Sequence, residues 1–264
     1  MLIAQISDPH VKREGELLYG RIDTQGFLER AVAHVNALDP RPDVALVTGD
    51  LVDGGKPEEY ANLKSVLSTL AMPFYLIPGN HDARDALREV FPDHAYRPRT
   101  GVLQYVVEDL PLRLVALDTL VPGKGHGALC DERLGWLAAR LAESDRPTLL
   151  FMHHPPFDVG IAPFDAARLL EGVDRLEALV RAHGNIERVL CGHVHRPIQV
   201  RWAGTMASIA PGTAHQASLD LRDGAKLSMT MEPPGMALHL WRPATGLITH
   251  VSYVGDYGKS RLFG

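Results

Sequence analysis

Seven side chains with only nitrogen or oxygen donors stand just after short apolar runs: Asp8, His10, Asp50, Asn80, His153, His193 and His195. The run LIAQIS is followed by Asp8-Pro9-His10, and VALVTG by Asp50 and then Asp53. FYLIPG is followed by Asn80, His81 and Asp82, TLLFM by His153 and His154, and ERVLCG by His193 and His195. In open α/β sheets, ligands bind outside the carboxyl ends of the strands. Five strand-like runs delivering polar groups at the same end therefore point to one shared site. Carboxylate, amide and imidazole donors without a thiolate suit Zn, Fe, Mn or Co, and do not suit a structural zinc of the cysteine type. Seven ligands are too many for one ion. They match two ions with four protein ligands each if one carboxylate bridges. Two ions about 3.5–4 Å apart clamp a phosphoryl group and its attacking oxygen.

Each residue also has a plainer reading. A lone His193 is more often a satisfied loop histidine than a ligand, and only the ordered set changes that balance. His81 can be a capping residue, Asp53 a loop cap, His154 a packing residue and His215 a turn residue bonded to backbone. Gly49, Gly79 and Gly192 each precede a ligand and read as tight-turn residues. His34, His94, His126, His183, His239 and His250 fit no ligand spacing and read as surface or packing residues. Arg84, Arg88, Arg97 and Arg99 read as a solvated face, with an anion-attracting rim as the sharper alternative.

The ordered motifs Asp8-Pro9-His10, Gly49-Asp50-Leu51-Val52-Asp53, Gly79-Asn80-His81-Asp82, His153-His154 and Gly192-His193-Val194-His195 resemble the calcineurin-like metallophosphoesterase superfamily. The stretches LYGRIDT, PEEY, FMHHPP, CGHVHR and PGTAHQ are most similar to its bacterial class III phosphodiesterases, in the glycerophosphodiesterase and cyclic-nucleotide branches. The resemblance implies that Asp8, His10 and His195 hold one ion, that Asn80, His153 and His193 hold the other, and that Asp50 bridges them with a hydroxide. It makes His81 the group that contacts the phosphate and protonates the leaving alkoxide. Asp82 is expected to orient His81. Asp53, His154 and His215 are expected to hold ligating imidazoles by their other ring nitrogen or to touch substrate, because such imidazoles need a fixed partner.

The elements behind these residues alternate. The short apolar runs at 2–6, 44–47, 74–77, 112–117, 148–152 and 187–190 read as buried strands. Helical spacing occupies 23–38, 57–70, 131–144 and 165–184 between them. After about residue 197 the helices stop and hairpin-like segments follow. Alternation of this kind makes an α/β layered domain. The resemblance sharpens it to a four-layer α-β-β-α sandwich of two mixed sheets flanked by helices, with a small C-terminal β-hairpin cap. The expected division is a catalytic core at 1–214, a cap and oligomerisation hairpin at 215–235, and strands completing the core sheet at 236–264.

Composition narrows the function. The chain has 264 residues, 45% of them hydrophobic and 22% charged, with a formal net charge of −5, which argues against a track for polymeric nucleic acid. Two cysteines, Cys130 and Cys191, make no disulfide framework, and Cys191 reads as a buried thiol. The N-terminal MLIAQISDPH lacks a basic segment and cleavage site, and no apolar run approaches a membrane span. The expectation is a cytoplasmic, metal-dependent phosphoric diester hydrolase with no membrane partner. By resemblance it would act on small phosphodiesters, either glycerophosphodiesters or 3′,5′-cyclic nucleotides, by in-line attack of a metal-bridging hydroxide, and would form a homo-oligomer through its cap. Its two divalent ions would be Fe/Zn, Mn or Co. Leu18 to Asp23, the segment 84–99 and the C-terminal hairpins including 217–235 are the candidate pocket walls. The rival readings are a broad-specificity phosphomonoesterase and a non-catalytic metal-binding scaffold, and the acidic balance disfavours a nuclease.

Overall fold

The computed structural model describes residues 1–94, 98–258 and 261–262. The chain begins with β1 (Leu2–Ile6), α1 (Thr24–Asn36), β2 (Val44–Thr48), α2 (Pro57–Leu67), β3 (Phe74–Ile77) and α3 (Arg84–Val90). The middle comprises β4 (Tyr105–Val107), β5 (Arg113–Ala116), β6 (Gly127–Ala128), α4 (Asp131–Ala142), β7 (Thr148–Phe151), α5 (Ala162–Asp165), β8 (Leu169–Glu171) and α6 (Val173–Ala182). It closes with β9 (Ile186–Cys191), β10 (Ile198–Trp202), β11 (Thr205–Ile209), β12 (Gln216–Ala217), β13 (Met229–Thr230), β14 (Gly235–Arg242) and β15 (Gly246–Tyr253).

Two sheets form the centre, one ordered β15-β14-β1-β2-β3 and the other β10-β11-β9-β7-β5-β4. The strands alternate their buried side chains between layers, as period-two geometry requires. Val44, Leu46, Leu114, Leu149, Phe151 and Leu190 pack between the sheets. Ala45 and Val47 face outward onto the cluster that includes Leu28, Val32, Leu63 and Leu87 of α1, α2 and α3. Val115, Leu150 and Val189 face outward onto Leu134, Leu137, Leu176 and Val180 of α4 and α6. Both faces of the inner parallel strands are thus covered, which is why these strands read as continuous apolar runs. The order helix, sheet, sheet, helix is the four-layer sandwich expected from the sequence.

β1, β2 and β3 are parallel, as are β5, β7, β9 and β11, so their carboxyl ends reach common edges. The last two long strands, β14 and β15, extend the first sheet by antiparallel pairing with β1. The small ribbon β12–β13 joins Gln216 to Thr230 and Ala217 to Met229. Among the described residues, no helix is long and apolar enough to cross a membrane.

Two expectations are corrected here. The helical pattern at 165–184 is a helix only from Val173 to Ala182. Leu169–Glu171 instead pairs with Gly127–Ala128, and Gly172 adopts φ 81° to turn the chain into the helix. Three consecutive residues in a ladder override the apolar spacing that continued across them. Of the arginines after Asp82 that are among the described residues, Arg84, Arg88 and Arg99 do not line the cavity described below. Arg84 is engaged by Asp118 at 2.6 and 2.8 Å, and Arg88 by Asp85 and the carbonyls of Pro98 and Gly101. Arg99 is exposed, and Arg97 lies outside the described residues.

Candidate metal centre

The loops leaving the parallel strands meet at one edge. Asp8 and His10 follow β1, Asp50 follows β2, and Asn80 and His81 follow β3. His153 and His154 follow β7, and His193 and His195 follow β9. Five of the seven expected ligands hold left-handed backbone: Asp8 at φ 54°, His10 at 44°, Asp50 at 46°, His193 at 74° and His195 at 55°. Such a conformation costs a non-glycine residue about 1–2 kcal/mol, and Asp and His tolerate it better than most. It turns each side chain sharply back toward the sheet edge. Loop-to-loop hydrogen bonds hold it there, including Asp8 N–H to the Gly49 carbonyl at 3.2 Å and His10 N–H to the Asp50 carbonyl at 2.9 Å. Clustered backbone strain of this kind persists where surrounding structure over-determines it, and it marks functional sites.

The preceding glycines serve two purposes. Gly49 has φ 88°, in keeping with the turn expected of it. Gly79 and Gly192 do not; they are needed for close approach. A Cβ on Gly79 would lie 2.2 Å from Asp50 Oδ1, and one on Gly192 would lie 2.4 Å from Ser7 Oγ.

Side-chain donors of Asp8, His10, Asp50 and His195 lie within 4.8 Å of one another. His10 Nε2 and His195 Nε2 stand 3.1 Å apart, His195 Nε2 is 3.4 Å from Asp8 Oδ1, and His10 Nε2 is 3.5 Å from Asp50 Oδ2. The other oxygen of Asp50 turns away from this group, toward His153 Nε2 at 3.3 Å, which in turn lies 3.2 Å from Asn80 Oδ1. His193 joins through its ring, 5.1 Å from that of His153, and its buried Nε2 has no hydrogen-bond partner. Two buried carboxylates, an amide and buried imidazole nitrogens aimed at one another form a set that a pair of divalent cations would satisfy. Without cations the same set leaves polar groups buried and poorly paired, which is costly.

Electrostatics follow this geometry. Burial pushes the Asp8 carboxyl up, against the pull of His153 and His10. Burial also acts on Asp50, but His153, His10 and His81 outweigh it and hold that carboxyl well below the usual range. Burial opposes charge on His153, yet Asp50 prevails and raises it to about 9. Burial lowers His193 and His195 to about 3, helped by neighbouring imidazoles, so both are neutral donors at ordinary pH.

Supporting groups fix the imidazoles. His153 Nδ1–H donates to the Thr48 carbonyl at 2.9 Å, and His195 Nδ1–H donates to the His215 carbonyl at 3.1 Å. His215 thus contributes its backbone, while its ring packs 4.6 Å from that of His195. His154 is fully buried, paired through Nδ1 to Thr119 Oγ1 at 2.7 Å, and its ring lies 4.7 Å from His193. Burial, then His193 and His153, lower His154 well below its ordinary value. Asp53 sits between His10 and His81, with Lys12 on its other oxygen at 3.0 Å.

Asp82 does not orient His81. Its carboxylate accepts from Gly79 N at 2.7 Å, Leu51 N at 3.1 Å and Tyr60 Oη at 2.8 Å, and so ties the β2 and β3 loops together. Burial and then Asp50 raise it to about 6. The partner of His81 is Asp53: His81 Nδ1–H donates to its carbonyl at 2.9 Å, and its carboxylate lies 3.5 Å away. Three residues after Asp50, Asp53 was readable as a partner, but which imidazole it serves was not.

A cavity of about 840 Å³ opens over this cluster. Tyr19 and Arg21 form one wall, Pro163 and Phe164 another, and Leu227, Ser228 and Met229 a third. Phe164, 5.5 Å from the His193 ring, was not among the expected wall residues, because an apolar side chain with no donor carries no signal of a site in the sequence.

The calcineurin-like phosphoesterase family matches residues 1–197, the stretch that carries all seven clustered donors. The chain belongs to that family. Its relatives include a probable glycerophosphodiester phosphodiesterase of Arcobacter nitrofigilis, 40% identical over 258 residues, 97% of this chain and 94% of that one. A probable cyclic nucleotide phosphodiesterase of Rhodopseudomonas palustris is 37% identical over 254 residues, 95% of this chain and 91% of that one. The fold is also that of a dimetal phosphatase from Danio rerio, with a TM-score of 0.63 at 15% identity over 97% of this chain and 99% of that one.

Proposed function

We propose that this family member is a binuclear, metal-dependent phosphodiesterase of small diesters, either glycerophosphodiesters or cyclic nucleotides. The observation that carries the reading is the orientation of Asp50, whose two oxygens face two separate donor groups at the floor of one cavity. Asp8, His10 and His195 would hold one ion with Asp50, and Asn80, His153 and His193 would hold the other with the second oxygen of Asp50. The ion pair supplies an activated water and neutralises phosphoryl charge when bound.

The chain's own residues do the rest. Because Nδ1–H donates to the Asp53 carbonyl, Nε2 is the ring atom left to exchange a proton with the departing alkoxide. The Asp53 carboxylate, 3.5 Å from the same Nδ1, helps hold the ring in place. His81 N–H donates to Asp50 Oδ1 at 3.0 Å and keeps the acid and the bridging carboxylate in register. At about 840 Å³ the cavity is large enough for both substituents of a small diester. Mn, Co, Zn and Fe all suit the donors.

Residues 215–235 act as a cap in this reading. Ala217 and Leu227 to Met229 reach the cavity, while Leu219, Leu221 and Met231 expose apolar surface suited to a second copy of the chain. The chain reconstituted separately with Mn, Co, Zn and Fe should hydrolyse bis(p-nitrophenyl) phosphate faster than p-nitrophenyl phosphate. The reverse preference would make it a monoesterase, and no turnover with any of the four ions would favour the scaffold. Sedimentation of L221E against the parent chain tests the oligomer.

A further inference from the structure

A continuous line of hydrogen bonds runs between the sheets from β9 and the β14–β15 hairpin to Asp8. Arg188 Nη1 donates to Thr249 Oγ1 at 2.5 Å, and Thr249 Oγ1 lies 2.8 Å from His239 Nδ1. His239 Nε2 lies 3.0 Å from Gln5 Oε1. Gln5 Nε2 donates to Thr48 Oγ1 at 3.0 Å, Thr48 Oγ1 to Ser7 Oγ at 2.8 Å, and Ser7 Oγ to Asp8 Oδ2 at 2.5 Å. Gln5, Ser7, Thr48 and His239 have no exposed surface.

The direction of every link is determined by its neighbours. Gln5 Nε2 also donates to the Cys191 carbonyl at 2.9 Å, which only accepts, so the amide cannot be flipped. Its oxygen therefore faces His239, and His239 must carry its proton on Nε2. Burial with Arg188 nearby lowers His239 to about 3, so Nδ1 is an acceptor, and the Thr249 hydroxyl donates to it. That hydroxyl receives from Arg188, which has no acceptor atom. At the other end a carboxylate takes the Ser7 proton and has none to pass on. All the dipoles point the same way, from a guanidinium to a carboxylate, and such chains polarise one another.

We propose that Arg188, Thr249, His239, Gln5, Thr48 and Ser7 form a polarised relay that positions Asp8 and sets its donor strength toward the first divalent ion. They are positioning residues, and the inference rests on the reading of Asp8 as a ligand. The Ser7 hydroxyl fixes Oδ2, and the other oxygen, which accepts from His193 N–H at 2.9 Å, stays directed at His195. Thr249 is the remote handle, because it touches none of the seven proposed ligands.

The test uses the metal-free chain, with Mn(II) titrated and free ion read by electron paramagnetic resonance, and 15N NMR of the His239 ring. The parent should show the Nε2–H tautomer. T249V, which keeps the shape and removes the hydroxyl, should weaken Mn(II) binding at the tighter site roughly twofold to fivefold. T249S should restore it, and S7A, at the end of the line, should weaken it about tenfold or more. An Nδ1–H tautomer or an imidazolium overturns the relay, as does unchanged affinity in T249V with an equally lowered melting temperature. No Mn(II) uptake by the parent overturns the ligand assignment itself, which separates the two failures.

Discussion

Asp8, His10, Asp50 and His195 set two carboxylates beside two imidazoles, whereas the group around His153 has one oxygen of Asp50, the Asn80 amide and the His193 imidazole. The first half would meet a dication with Asp8 and its share of Asp50, the second with its share of Asp50 alone. Buried imidazole nitrogens without hydrogen-bond partners occur on both sides, at His10 Nδ1 in the first and at Nε2 of His193 and His154 in the second. Both halves share Asp50, which turns one oxygen to each. The difference implies stepwise loading, with the carboxylate-rich half filling first and the imidazole-rich half responding to ion concentration.

The largest effect should come from removing what the halves share. D50A should lose several kcal/mol of transition-state stabilisation, on the order of a thousandfold or more in kcat, together with its second ion. Metal content by atomic emission and diester turnover check both. Equal loss of both ions in N80A would break the comparison. The expected result there is selective loss of the second ion and a rate deficit of about a hundredfold, recovered in part by raising Mn(II). H81A should slow a diester with a poor alkoxide leaving group by about 10² to 10⁴, and should affect a p-nitrophenolate leaving group much less, which a leaving-group series would show.

The smallest effect concerns pH and sharpens the electrostatic contrast. In the metal-free chain His153 is raised to about 9, and His10 is also raised by Asp53, Asp50 and Asp8 against burial. The folded state then binds more protons than the unfolded one above about pH 6.5, so this stabilisation is present below 6.5 and lost as pH rises through 9. His193, His195 and His239 are lowered to about 3, so the unfolded state binds more protons below pH 6.5, and stability falls as pH falls. The melting temperature of the metal-free chain should therefore peak near pH 6.5. Loading with Mn(II) should release protons and flatten the alkaline side, and calorimetry across that range tests it. A metal-free profile that rises steadily to pH 9 would contradict the raised His153.

Much of this was legible before any fold was known. The runs ending at Ile6, Thr48, Ile77, Phe151 and Cys191 are strands buried on both faces, and such strands announce themselves as unbroken apolar segments. Helices at 57–67 and 131–142 were readable from proline, acidic first turns and apolar spacing. The helix at 173–182 was misplaced at its start because Leu169–Glu171 takes its conformation from a distant pairing partner, a contact that local spacing does not encode.

What the amino-acid order determined by itself is local and chemical: which donor types stand at the ends of which strands, and that parallel strands would bring them to one edge. What only the tertiary structure decided is which groups touch. Asp82 and Asp53 look alike in the sequence, yet one ties loops through Tyr60 and the other holds His81. His239 has no informative spacing at all, and it lies in a line of hydrogen bonds that ends on Asp8. Hydrogen bonds need placement within fractions of an ångström, and that placement is set by the packing of two sheets from separate parts of the chain, not by near neighbours in sequence.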